Sequence, residues 1–241
     1  MRARKVFVGL WLTVTLTCWA AATPLFASNT GVVVAVESIG MTVSDIDRSV
    51  AFYSDVLAFT PISDVEVDGP EYDQLWGVFG VRARVVRMQL GSQLFLGIDH
   101  TAMTVRSTEN STKFYHDLLG LTVAGGTLNM GAEQQHLDSL PGARARVTGL
   151  TPTMGPPGIE FLEYELPTAG RPFPIDSHPT DLWHWQTTLV VPDVEAAAAT
   201  LRATAQFVSS AIVTLPDKAL GFTKGFQVRD PDGHTMQIVS P

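Results

Sequence analysis

The residues of this chain best suited to chemistry are His100, Glu160, Gln186 and Gln237. Each lies in a stretch where apolar and polar residues alternate, the pattern of a strand with one buried face. Thr101, Met103 and Val105 form one face of the first stretch, and His100, Ala102 and Thr104 the other. Ile159 and Phe161 flank Glu160, and Met236 and Ile238 flank Gln237. Trp185, Leu189 and Val191 oppose His184, Gln186 and Thr188. Alternation thus sets all four residues on the non-core face of four strands. An imidazole, a carboxylate and two amides on one face supply donors for a divalent cation or hydrogen bonds for a small ligand. Glu160 stands out, because a carboxylate between apolar neighbours needs a partner. The plain structural reading of His100 is a hydrogen-bonded polar strand residue.

The elements that position these residues come from a repeat. Residues 38–90 align without a gap on residues 100–152, with 17 of 53 positions identical. Met41-Thr42-Val43 matches Met103-Thr104-Val105, Phe52-Tyr53 matches Phe114-Tyr115, and Arg82-Ala83-Arg84-Val85 matches Arg144-Ala145-Arg146-Val147. Ser38 falls opposite His100, so the second copy gains the histidine. Each copy reads as strand, helix, strand, strand. Ser44 with Asp47 predicts a capping box in the first copy, and Ser107 or Thr108 opens the second helix, which Gly120 closes. The second copy adds a strand at 158–165; the first runs into the next unit with no such strand. A third unit follows: a strand at 184–191, a helix from Val194 capped by Asp193, and strands at 207–214, 222–229 and 235–239. These patterns predict an α+β fold of repeated βαβββ modules. Modules two and three pair into a cup-shaped mixed sheet with helices outside.

The domain plan is a leader over 1–27, an incomplete module over 34–93, and a domain over 94–241. That domain holds modules 94–166 and 182–241, joined by a proline-rich linker, 167–181. Arg2, Arg4 and Lys5 precede an apolar run from Val6 to about Ala22, with small residues before plausible cleavage after Ala22 or Ala27. This reads as a secretory signal, and the chain as periplasmic or secreted and free of the membrane after cleavage. The net charge is −8, and 13 − 24 = −11 without the leader, which excludes a nucleic-acid partner. The only cysteine, Cys18, lies in the leader; a lipoprotein reading is disfavoured by Thr17 before it. The rest of the chain has no thiol for a nucleophile or a zinc site. An incomplete first module leaves an unpaired sheet edge, which suggests a homodimer through that module.

Four segments carry a resemblance: Gly97–Val105, Lys113–Leu121, Gly158–Tyr164 and Asp230-Pro231-Asp232-Gly233-His234. Their order and spacing resemble the vicinal oxygen chelate superfamily, which includes glyoxalase I, extradiol dioxygenases and resistance proteins of the bleomycin and fosfomycin type. The resemblance implies a metal set of His100, Glu160, Gln186 and Gln237, with Glu160 also moving a proton. The cofactor implied is a divalent ion: Zn, Ni, Mn or Fe. Gln237 departs from the usual glutamate, which weakens metal affinity and removes a second base. Two functions follow. One is a metal-dependent lyase or isomerase acting on a small vicinal-oxygen substrate; the other is a metal-free protein that binds or sequesters a small molecule. Extradiol dioxygenase chemistry fits less well, because the positions it needs are amides, with His184 two residues away. His184 and Trp183 are the candidates for contacting the ligand, although packing accounts equally for Trp183.

Overall fold

The computed structural model describes residues 6–13, 32–90, 98–168 and 170–241, with side chains from residue 32 onward. Strand β1 (Val6–Thr13) lies inside the segment read above as a leader. Module one follows as β2 (Ala35–Thr42), α1 (Ile46–Leu57), β3 (Thr60–Asp68), α2 (Pro70–Trp76) and β4 (Arg82–Gln89). The N-cap of α1 is Asp45, whose carboxylate accepts from the Arg48 N–H, rather than the Ser44 predicted from sequence. Module two is β5 (His100–Thr104), α3 (Thr108–Thr112, running on in wider turns to Leu118), β6 (Thr122–Met130), α4 (Ala132–Asp138), β7 (Arg144–Thr151) and β8 (Gly158–Leu166). Ser107 caps α3, and Gly120 follows at φ +74°, a left-handed conformation that glycine adopts freely. The repeat is preserved in detail. Tyr53 Oη meets Met41 Sδ at 3.3 Å, and Tyr115 Oη meets Met103 Sδ at 3.3 Å.

Module three is β9 (Trp185–Val190), α5 (Val194–Leu201), β10 (Gln206–Phe207), β11 (Val213–Thr214), β12 (Lys224–Arg229) and β13 (Thr235–Ser240). Asp193 caps α5 as expected, accepting from the Ala196 N–H. The strand predicted at 207–214 shrinks to its two ends, because Ser209 turns away to donate to the Leu75 carbonyl. Helices α2 and α4 were not anticipated. Each is a short turn of helix opened by a glycine with positive φ, Gly69 or Gly131. Among the described residues no helix is long and apolar enough to cross a membrane.

Two sheets result. Nine strands form one, in the order β10-β12-β13-β9-β2-β1-β4-β3 with β11 beside β12; β5-β8-β7-β6 form the other. This corrects the expected pairing of modules two and three in one sheet. Module three joins module one instead, through antiparallel β9 and β2, with Gly40 opposite Gln186. Modules two and three meet through their helix-bearing sides. Met103, Val105, Phe114, Tyr115 and Phe161 share one core with Leu189, Val191, Leu201, Phe226 and Ile238. Each large side chain fully buried there contributes about 1.5–3 kcal/mol, so apolar faces dictate that contact while strand edges remain free to pair elsewhere. The expected open edge of module one is also corrected, since β1 lies between β2 and β4.

Candidate functional site

Module two presents an open concave face. A cleft of about 240 Å³ is lined by Asp99, His100, Gly149, Thr151, Pro156 and Glu160 among others. His100 opens β5, and Glu160 sits on β8 between Ala102 and Gly149 of the flanking strands. Glycine at 149 leaves the cleft floor bare: a Cβ there would meet only the Gly125 carbonyl, at 4.0 Å. The imidazole bridges two carboxylates. His100 Nδ1 lies 3.0 Å from Asp99 Oδ2, and Nε2 lies 3.5 Å from Glu160 Oε1. Each ring nitrogen of His100 thus faces a carboxylate oxygen, at hydrogen-bond distance on the Asp99 side and across a wider gap on the Glu160 side. That gap suits a shared proton, a cation or a ligand bearing donor groups. The His100 side chain is 42% exposed, so a ligand reaches it from solvent.

Gln186 and Gln237 lie elsewhere, within the nine-stranded sheet, and both are buried. With Gln227 they form a buried amide cluster, in which the Gln227 side-chain oxygen has no partner. Gln227 Nε2 donates to Gln186 Oε1 at 2.7 Å and to Gln237 Oε1 at 3.2 Å. Gln186 Nε2 donates to Gln237 Oε1 at 3.4 Å, and Gln237 Nε2 to Thr188 Oγ1 at 3.2 Å. His184 Nε2 is 3.4 Å from Gln186 Oε1, and burial pulls its pKa down to about 4, partly offset by that hydrogen bond. It is therefore neutral near pH 7. Gln227 was missed from sequence, although its place between Phe226 and Val228 carries the same alternation. Asp99, next to His100, was missed as well. Trp183 is exposed and donates to Ser177 Oγ at 3.1 Å, outside both clusters.

The structure therefore brings His100 to Glu160 and Gln186 to Gln237, on two separate sheets. The residues do not fit a four-donor metal centre. Both glutamine oxygens are taken by neighbouring amides. Among the described residues no group of three or more His, Cys, Asp or Glu side chains is placed to hold a metal.

The fold has known counterparts. A glyoxalase family protein from Bacillus cereus is 16% identical, with a TM-score of 0.51, covering 63% of this chain and 97% of that one. A glyoxalase/bleomycin resistance protein/dioxygenase domain from Frankia sp. EAN1pec is 18% identical, with a TM-score of 0.42, covering 61% and 92%. A fosfomycin resistance protein from Listeria monocytogenes, solved with Mn(II), is 11% identical, with a TM-score of 0.39, covering 61% and 93%. No curated protein matches the chain. Residues 97–238, modules two and three, match a family model directly. On that match, the chain belongs to the Glyoxalase/Bleomycin resistance protein/Dioxygenase superfamily.

Proposed function

We propose that the chain binds a small molecule in the cleft at His100 and Glu160, without a resident four-donor metal. The observation that carries this reading is the division of the polar residues. One pair faces open solvent in a cleft; the Gln186 and Gln237 oxygens are buried and accept from neighbouring amides. A ligand offering hydroxyl or ammonium donors complements the two carboxylates that flank His100. A compound with vicinal oxygens fits, because adjacent hydroxyls reach Glu160 and His100 Nε2 together. Superfamily membership supports a small-molecule ligand as the general class.

A second reading rests on the 3.5 Å separation of His100 Nε2 and Glu160 Oε1. The pair would act as two ligands of a divalent cation, the remainder coming from solvent or substrate. This is the lyase or isomerase reading in its weakest-binding form. Calorimetric titration with catechol, as a vicinal-diol probe, separates the two. The binding reading expects metal-independent affinity that is lost in His100→Ala and Glu160→Gln. Affinity that appears only with added Mn, Ni, Zn or Fe supports the metal reading, and affinity unchanged in both variants overturns the site itself.

A further inference from the structure

Module one has no last strand of its own in sequence, yet its part of the nine-stranded sheet contains four strands. Module two is ordered β5-β8-β7-β6, and module one β2-β1-β4-β3. Strand β1 therefore stands where β8 stands, but reversed. β8 runs parallel to β5 and antiparallel to β7, whereas β1 runs antiparallel to β2 and parallel to β4. All eight residues of β1 are in register with β4, and five of them with β2.

The register is specific. Glu160 lies between Ala102 and Gly149. Shifted by the 62-residue repeat, those neighbours are Gly40 and Arg87, and the residue between them is Trp11. Trp11 thus holds in module one the position that Glu160 holds in module two. The segment also has the composition for the slot. Val6, Val8, Leu10 and Leu12 alternate with Phe7, Gly9, Trp11 and Thr13, a strand without charge and able to be covered on both faces. With the segment removed, β2 and β4 would each turn a row of backbone N–H and C=O groups into a gap inside the sheet.

We infer that Val6–Thr13 is a retained strand of the folded protein, serving as the last strand of module one. The residues that read as a disposable leader complete the sheet and put Trp11, not a carboxylate residue, at the register position that Glu160 holds in module two. Retention and cleavage after Ala22 or Ala27 exclude one another.

The test uses the full chain with Cys18→Ser as the only background change. Leu12→Cys combined with Ile39→Cys joins residues that face each other across β1 and β2. Mild oxidation is expected to close an intramolecular disulfide in this pair, and not in Leu12→Cys with Val43→Cys. Gly9→Pro, which breaks the ladder on both sides, is expected to lower Tm by roughly 10 °C. The intact mass of the purified protein is expected to include residues 6–13. A mass beginning at residue 23 or 28, no disulfide in the matched pair, or an unchanged Tm in Gly9→Pro overturns the inference.

Discussion

Modules one and two share a sequence pattern, a helix cap plan and a Tyr–Met contact, yet one is sealed and the other open. Leu75 on α2 is fully buried against module three, whereas its counterpart Leu137 on α4 is 79% exposed. Arg87 reaches beneath the turn that carries Gly221, where a Cβ would come within 2.2 Å of its guanidinium, and it pairs with Glu37 at 3.4 Å. Burial raises the Glu37 pKa, and Arg87 pulls against that shift. The counterpart of Arg87 is Gly149, on the floor of the open cleft. The difference teaches that a repeat conserves its scaffold, while the neighbour it packs against decides whether the concave face holds a ligand or becomes core. Module one met module three and filled in. Module two kept its face free.

The largest expected effect tests that contrast by stability. Leu75→Ala should cost about 2–5 kcal/mol by chemical denaturation, and Leu137→Ala within about 0.5 kcal/mol. Equal costs would dissolve the distinction between sealed and open faces.

The next effect is pH-dependent and belongs to the buried amide cluster of the nine-stranded sheet. His184 has a folded pKa of about 4, below its ordinary 6.5, so the unfolded chain binds more protons between those values. Its contribution, on the order of 3 kcal/mol, is complete above pH 6.5 and is lost as pH falls toward 4. His234 shifts the other way: burial lowers its pKa, but the Asp230 hydrogen bond and charge outweigh burial and raise it. Its stabilisation is present below pH 6.5 and fades as pH rises through the raised value. In denaturation midpoints between pH 7 and 4, His184→Gln should flatten the acid decline; an identical slope would show that His184 is not the group responsible.

Exchanging the cleft floor gives a smaller effect, read as affinity. Gly149→Arg imports the residue that module one carries at the same place. It should weaken catechol binding at least tenfold, about 1.4 kcal/mol, with the circular dichroism spectrum unchanged. Undiminished affinity would place the ligand elsewhere. The smallest effect is Trp183→Ala, which should leave that affinity within about twofold, or about 0.4 kcal/mol, because Trp183 touches neither cluster. A tenfold loss would restore Trp183 to the ligand entrance.

Local chemistry made much of this legible in the sequence. Alternation around His100 and Glu160 reports strand faces correctly, because side-chain direction has a period of two whatever the strand pairs with; around Gln186 and Gln237 both faces are buried, and Trp185, expected on the core face, is exposed. Caps at Ser107 and Asp193 are equally local. The partner of each strand edge is not local. β2, β5 and β9 carry similar first-strand patterns, and nothing within nine residues says that β9 meets β2. Convergence of four polar residues therefore looked like one site when it is two. The segment from Val6 was ambiguous for another reason: an uninterrupted apolar run suits a leader and a doubly covered strand alike.

The central claim is that the polar residues form two separate places, one reachable and one closed. Paramagnetic line broadening by Mn(II), followed in an assigned NMR spectrum of the full chain, tests it directly. The account predicts that any broadening centres on His100, Glu160 and their neighbours, while the Gln186, Gln227 and Gln237 amides stay sharp. Broadening centred on Gln186 and Gln237, or on all four residues at one stoichiometric ion, would contradict it.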